Sequence, residues 1–165
     1  MSDISVQTEQ DISVIEALMA EAFGPARHGR SVWALRPGPP VGPLCLVIRD
    51  AGTTVGSLRF WEVMLGAHVI LLLGPLAVRP ELRGRGFGRD LINEALQRAG
   101  EGDWPLILVS GEVDYYPRFG FVPAAPYGID WPGFVEPERL QLYELKAGAL
   151  AALPAGPLAV RALPG

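Results

Sequence analysis

The sequence is poor in cysteine, in long apolar runs and in positive charge, and each shortage excludes a class of protein. The single cysteine, Cys45, excludes an intramolecular disulfide and a cysteine-based zinc site. No uninterrupted apolar run is longer than Val69–Leu73, which is far too short to cross a bilayer. A net charge of −4 at pH 7 argues against a general nucleic-acid binder, because such proteins need a basic face.

Length and composition predict one compact domain over residues 1–165. Hydrophobic residues make up 49% of the chain and charged residues 19%, a balance typical of folded globular proteins. The first residues, Met1-Ser2-Asp3, lack the basic and apolar segments of a secretory signal. We therefore expect a cytoplasmic protein with neither a membrane nor a nucleic-acid partner.

Apolar periodicity predicts two long helices set among strands. The helices cover residues 11–23 and 87–99, and a short helix is expected over 114–119. The predicted strands cover 4–6, 44–49, 55–64, 68–78, 106–109, 121–122 and 142–145. From Lys146 onward the sequence is rich in Ala, Leu, Gly and Pro. This composition is compatible with a final strand and with an extended tail.

The segment Leu82–Arg89 is the most informative part of the chain, because it joins a predicted strand to a predicted helix. Its glycines let the backbone turn sharply and approach a ligand closely. The helix that follows directs its unpaired N–H groups and its positive dipole end at the loop. The glycines and arginines concerned are Gly84, Gly86, Gly88, Arg83, Arg85 and Arg89. This arrangement predicts an anion site, most simply a phosphate site.

Residues missing from this loop exclude two common phosphate sites. A P-loop needs Gly-Lys-Ser/Thr at its end, and the loop holds no lysine. A dinucleotide fingerprint needs a third glycine where this chain has Arg89, and an acidic residue after the next strand, where none is well placed.

Two motifs resemble those of the GNAT N-acetyltransferase superfamily. Arg83-x-x-Gly86-x-Gly88 is similar to the loop that holds the acetyl-CoA pyrophosphate. About thirty residues later, Tyr116-x-x-x-Gly120-Phe121 resembles the tyrosine segment near the coenzyme sulfur. The motifs lie within residues 74–121, and the resemblance covers roughly residues 1–150. It is strongest to the YhbS-like branch of predicted bacterial acetyltransferases.

The resemblance implies an α+β fold and an acetyl-CoA-dependent N-acetyltransferase. The fold would be a mixed, mostly antiparallel sheet of six or seven strands, splayed near Pro75, with helices on both faces. Acetyl-CoA would be the co-substrate, and no metal is required. The implied coenzyme-binding residues are Leu76, Ala77, Val78, Arg83, Gly84, Arg85, Gly86, Phe87, Gly88 and Arg89.

Pro75 is an oddity inside a predicted central strand, since proline cannot donate to a ladder. A bulge there would separate this strand from the one at 106–109 and leave N–H groups of 76–78 without partners. An extended amide such as the pantetheine arm would supply them by adding as a false strand. Attack of the amine on the thioester would give a tetrahedral oxyanion, which a backbone N–H near Leu76 or Ala77 would stabilise. A bulge that only shapes the sheet, with water as the partner, is the alternative.

Tyr116 is the predicted catalytic residue, as the general acid that protonates the departing CoA thiolate. Its neighbour Tyr115 competes for the role, but the motif register selects Tyr116. The general base stays open. The candidates are Glu62, His68, Glu112, Asp114 and a water molecule.

The acceptor amine is not specified by the sequence. His28, Trp33 and Trp131 lie in irregular segments where the superfamily builds its acceptor pocket, although core packing explains the tryptophans equally well. Two other functions are alternatives: an inactive acyl-CoA sensor, and a nucleotide-phosphate-binding protein. A homodimer is left open as the assembly.

Overall fold

The computed structural model describes residues 2–24, 32, 35–36 and 38–164. Its helices and strands follow the order expected from the apolar pattern, with an unpredicted short strand at residues 129–130 and a final strand at 158–162. They are β1 (Ser2–Val6), α1 (Ile12–Phe23), β2 (Leu46–Asp50), β3 (Thr53–Leu65), β4 (His68–Val78), α2 (Phe87–Gly100), β5 (Leu106–Ser110), β6 (Val122–Pro123), β7 (Ile129–Asp130), β8 (Leu140–Glu144) and β9 (Leu158–Ala162). Neither of these α-helices is long and apolar enough to cross a membrane.

The strands form one mixed sheet in the order β1-β2-β3-β4-β5-β8-β6. Every pair along this path is antiparallel except β4 and β5, which are parallel. Strand β9 pairs with residues 63–65 of β3 and with β7, so it adds two strands to the seven of the main path. The mixed, mostly antiparallel sheet is confirmed, and the final strand, rather than a tail, follows Lys146.

The two α-helices pack on opposite faces of this sheet, as expected. Alternation along β2 shows why: Leu46 and Ile48 pack in the same core as Leu91 of α2, whereas Val47 packs with Ile15 of α1. Successive side chains of a strand point to opposite faces, so one strand supports both helices. Fully burying a leucine or isoleucine side chain stabilises the fold by about 1.5–3 kcal/mol.

A bulge at Gly74-Pro75 opens the sheet. Leu73 pairs with Phe60 and Leu76 pairs with Leu58, so two residues of β4 face the single residue between them on β3. On its other side β4 pairs with β5 only at Leu71 and Leu72. The two strands therefore separate before Pro75, which confirms the predicted splay.

Asp11 anchors the start of α1 to the sheet. Its carboxylate accepts hydrogen bonds from the Thr8 N–H (2.8 Å) and from Arg49 Nη2 of β2 (2.6 Å). Burial by itself raises the pKa of Asp11. The hydrogen bonds from Thr8 and Arg49, together with the Arg49 charge, outweigh burial and lower it below its ordinary value of 3.8.

We predict that Asp11→Asn lowers the free energy of unfolding by about 1–3 kcal/mol, because it removes a charge-assisted hydrogen bond and leaves Arg49 less well paired. A carboxyl whose folded-state pKa is depressed stabilises the protein above its unfolded pKa, and this is lost as the pH falls through the folded value. The variant's deficit, measured by urea denaturation, should therefore shrink on acidification below about pH 4. The exposed Asp103→Asn variant is the control. An equal loss in both variants would contradict the prediction.

Candidate functional site

A cavity of about 610 Å³ lies where β4 and β5 separate. It extends from the bulge at Gly74 to the loop before α2, and the tyrosine segment after β5 forms part of its wall. The structure brings together ten of the eleven predicted site residues around this space: Leu76, Ala77, Val78, Arg83, Gly84, Gly86, Phe87, Gly88, Arg89 and Tyr116.

Arg85 is the exception among the predicted residues. It is exposed and is not among the described residues that line the cavity. Its guanidinium carbon lies 5.7 Å from the centroid of the Phe87 ring. Sequence reasoning grouped the three loop arginines because they are close in the chain, but Arg83 and Arg89 reach the cavity wall and Arg85 does not.

The loop before α2 directs backbone N–H groups into the cavity. Gly86 is the N-cap of α2 with φ at +90°, a conformation that favours glycine. The N–H groups of residues 87–89 have no intrahelical partner because they belong to the first turn. A glycine cap also has no side chain that could accept from them. Together with the helix dipole and the guanidinium groups of Arg83 and Arg89, they form a site suited to an anion.

The edge of β4 beyond the bulge presents hydrogen-bonding groups to the same cavity. The Arg79 N–H donates to the Val55 carbonyl of β3, which fixes the direction of alternation along the strand. The N–H and C=O groups of Ala77 therefore point to β3, whereas those of Leu76 and Val78 point away from it. Because β5 has already separated, the Leu76 and Val78 groups face the cavity. Of the two predicted oxyanion donors, Leu76 has the suitable direction and Ala77 does not.

The adjacent tyrosines Tyr115 and Tyr116 occupy different places. Tyr116 is only 7% exposed, and its ring packs on the Gly111 backbone and 5.4 Å from the Phe121 ring centroid. Tyr115 is half-buried, and its hydroxyl lies at the start of α2, 3.0 Å from where a Cβ on Gly88 would stand. The tyrosine rings meet edge to face at 5.4 Å.

The pKa of Tyr116 is raised chiefly by burial. Nearby Tyr115 and Glu112 raise it further, and Arg139 opposes them. The phenol therefore stays protonated throughout the pH range of ordinary assays. Burial also raises the pKa of Tyr115, while the charges of Arg118 and Arg89 oppose that rise.

Of the four side chains considered as a general base, Glu112 is the one that lines the cavity. Its carboxylate is 76% exposed and lies 3.6 Å from Nη1 of Arg139. The Glu62 carboxylate instead accepts a hydrogen bond from Trp104 Nε1 at 2.8 Å. His68 lies exposed at the far end of β4, and Asp114 is exposed near Arg118. The structure brings none of these three to the described cavity wall.

Of the three residues expected on the acceptor side, one lies within the described part of the chain. His28 and Trp33 lie outside the described residues. Trp131 is buried in the apolar core with Leu140 and Leu142 and is not among the described residues that line the cavity. The lining residues that the sequence did not predict include two arginines, Arg36 and Arg139. Neither belongs to a motif, and the sequence around them gives no signal that sets them apart from other arginines of the chain.

Comparison with known proteins identifies acetyltransferases among the relatives of this chain. The family model for the acetyltransferase (GNAT) domain matches residues 42–123. The uncharacterized N-acetyltransferase YjhQ of Escherichia coli K12 is 30% identical over 125 residues, which cover 73% of this chain and 69% of that protein. The uncharacterized N-acetyltransferase YhbS of the same strain is 29% identical over 134 residues, covering 79% and 80%.

Two solved structures are similar along nearly the whole chain. The GNAT family N-acetyltransferase YhbS from Escherichia coli, in complex with CoA, matches with a TM-score of 0.80 and 28% identity, covering 98% of this chain and 89% of that one. A GNAT family acetyltransferase from Brucella melitensis, in complex with acetyl-CoA, matches with a TM-score of 0.71 and 25% identity, covering 96% and 94%.

Proposed function

Because the chain belongs to the GNAT acetyltransferase family, we propose that it transfers the acetyl group of acetyl-CoA to an amine by direct attack on the thioester. The observation that carries the proposal is the continuity of one cavity. The free N–H groups at the start of α2, the open edge of β4 and Tyr116 all border it. The two similar structures, which hold CoA and acetyl-CoA, support the choice of donor.

The two ends of the cavity suit the pyrophosphate and the thioester of the coenzyme. The pyrophosphate would accept hydrogen bonds from the N–H groups of residues 87–89, beside Arg83 and Arg89. The pantetheine amides would pair with the Leu76 carbonyl and with Val78 as a false strand, which leaves the Leu76 N–H for the acetyl oxygen. This path brings the thioester toward the bulge at Gly74-Pro75 and toward Tyr116.

The chemistry then needs a base, an oxyanion donor and an acid. The amine nitrogen attacks the acetyl carbon, and the carbonyl electron pair moves to oxygen, where the Leu76 N–H stabilises it. Collapse of this adduct breaks the C–S bond, and Tyr116 protonates the departing sulfur. The amine loses its proton to Glu112 or to water. A phenol whose pKa burial has raised is a weaker acid than the thiol it forms, so Arg139 assists by favouring the phenolate that remains.

Ligand-induced stabilisation and thiol release test the proposal together. Acetyl-CoA at a hundred times its Kd should stabilise the protein by about 2.7 kcal/mol, whereas ATP with magnesium should not. Thiol release should then depend on an added amine. Binding without thiol release for any amine would favour an acyl-CoA sensor, and stabilisation by ATP alone would favour a nucleotide-phosphate-binding protein.

We predict that Gly111→Ala lowers kcat about tenfold, because a Cβ at this position would overlap the Tyr116 ring and shift its hydroxyl. Affinity for acetyl-CoA should stay within about twofold, since the phosphate loop and the β4 edge are unchanged. Gly102→Ala is the matched control, because its Cβ would likewise meet an aromatic ring, that of Trp104, away from the cavity. Equal kcat losses in both variants would show a general packing effect and contradict the role of Tyr116.

The cellular setting is part of the same proposal. We place the enzyme in the cytoplasm, in keeping with Cys45, which is free and buried in the core. The homodimer stays a prediction, and light scattering of the purified chain measures it.

A further inference from the structure

The cavity carries more positive charge than the phosphate loop supplies. Its described lining includes a single carboxylate, Glu112, against five arginines: Arg36, Arg83, Arg89, Arg118 and Arg139. Arg83 and Arg89 belong to the coenzyme loop and its helix. Arg36 and Arg139 come from other parts of the chain, so the coenzyme loop does not account for them.

Arg36 places a cation at the inner end of the cavity. The residue is only 9% exposed, and its guanidinium lies against the bulge: a Cβ on Gly74 would stand 2.9 Å from Nη2. Gly74 is two residues from Leu76, whose N–H faces the cavity. A buried positive charge therefore lies beside the position proposed for the thioester, at the end of the cavity opposite the phosphate loop.

Arg139 adds a second cation on the β5 side of the opening. It directly precedes β8, its backbone carbonyl accepts from the Gly111 N–H, and its charge acts on Tyr116. Nη1 lies 3.6 Å from the Glu112 carboxylate, longer than the roughly 2.7–2.9 Å of a charge-assisted hydrogen bond. With five donors on one guanidinium, Arg139 has capacity left for another anion.

We propose that the acceptor is an amine that also carries a carboxylate, which Arg36 and Arg139 bind beside the thioester. This inference rests on the proposed acetyl transfer. A purely cationic acceptor such as a polyamine would be repelled by the two guanidinium groups, whereas a carboxylate matches their planar donors. The same charges lower the pKa of a neighbouring ammonium and so favour the neutral amine that attack requires. The arginines thus select the acceptor and help to deprotonate it.

A matched set of amines tests this proposal. Glycine, leucine, glutamate and phenylalanine are each compared with their carboxamide, their decarboxylated amine and the corresponding aminophosphonate, with thiol release measured at saturating acetyl-CoA. We expect at least one amino acid to exceed its carboxamide in kcat/KM by about tenfold or more, since a hydrogen bond to a charged group is lost in the amide. A phosphonate that exceeds the carboxylate would show that the site takes a different anion and would overturn the carboxylate.

Arg139→Gln should bring the ratio of amino acid to carboxamide close to one, chiefly through a higher KM for the amino acid. The charge-conserving Arg139→Lys should retain part of the preference. The carboxamide rate corrects for any effect of the substitution on Tyr116. Arg161→Gln, on β9 and away from the cavity, is the control and should leave the ratio unchanged.

Binding of the acetylated products gives a readout that does not depend on turnover. Calorimetric titration of the CoA-bound protein should show N-acetyl amino acids binding more tightly than their amides, with the difference removed by Arg139→Gln. Equal binding of acid and amide, or binding of neither, would overturn the proposal. So would an Arg139→Gln variant that binds acetyl-CoA more weakly but the acid as tightly as the wild type does. Preferential acid binding with no acetyl transfer to any amine would instead contradict the proposed function and leave the anion site standing.

Discussion

Replacing Gly86 by valine is expected to abolish acetyl-CoA binding. Gly86 caps α2 with φ at +90°, and a Cβ there would stand 2.6 Å from Arg89 Nη2 on the cavity wall. The two methyl groups of valine would cover the N–H groups of the first turn and displace Arg89, so the pyrophosphate would lose both its donors and a neighbouring cation. Calorimetric titration of the folded variant with acetyl-CoA measures the loss.

Backbone strain alone would also destabilise this variant, so a matched glycine is needed as a control. Gly52 has φ at +83° in the turn between β2 and β3, and a Cβ there would meet nothing within 4 Å. Gly52→Val should therefore lose comparable stability while keeping its affinity for acetyl-CoA. Wild-type affinity in a folded Gly86→Val protein would remove the loop from the coenzyme site.

Tyr116→Phe is expected to lower kcat by about a hundredfold or more while the affinity for acetyl-CoA stays nearly constant. A leaving-group acid acts in the transition state, so removing only its hydroxyl affects turnover rather than ground-state binding. The phenyl ring keeps the edge-to-face contacts with Tyr115 and Phe121, so the fold should be retained. Thiol release at several pH values, with an acceptor at saturation, measures the effect.

The pH dependence separates the acid from its neighbours. Because burial raises the pKa of Tyr116, the wild-type phenol remains a donor at high pH, where solvent protons are scarce. The deficit of Tyr116→Phe should therefore grow as the pH rises. Tyr143→Phe, whose ring packs on Phe121 in the core, is the control, and Tyr115→Phe tests the adjacent hydroxyl. Full activity of Tyr116→Phe at high pH would leave Tyr115 or water as the acid.

The fold was predictable wherever the sequence carries a strong local signal. A proline inside an apolar strand has few acceptable positions, so Pro75 indicated the bulge and the separation of β4 from β5. The glycine-rich turn before α2 likewise fixed the start of the helix at Phe87. The sequence does not decide between a strand and a tail at β9, because the residues around it are mostly Ala, Leu, Gly and Pro. Its pairing with β3 and β7 makes it a strand.

The candidate site was less predictable, because its charges come from separate parts of the chain. Glu62 and His68 lie on β3 and β4, toward the ends of these strands that are far from the cavity. The sequence pattern places both residues on strands but does not give their distance from the cavity. Arg36 and Arg139 stand more than a hundred residues apart and meet the cavity only through the folding of the sheet. Side chains that only the tertiary structure brings together have no characteristic spacing in the sequence, so no motif predicts them.

The open edge of β4 has a consequence for the exchange of its amide hydrogens with solvent. Without a neighbouring strand, the Leu76 and Val78 amides have no ladder partner on the cavity side, whereas the intervening Ala77 amide is directed at β3. Deuterium should therefore enter at 76 and 78 early, with 77 slow between them, an alternation that edge strands rather than local unfolding produce. A ligand that adds as a strand would slow 76 and 78 to the rate of 77, so three consecutive amides report whether the gap in the sheet has been filled.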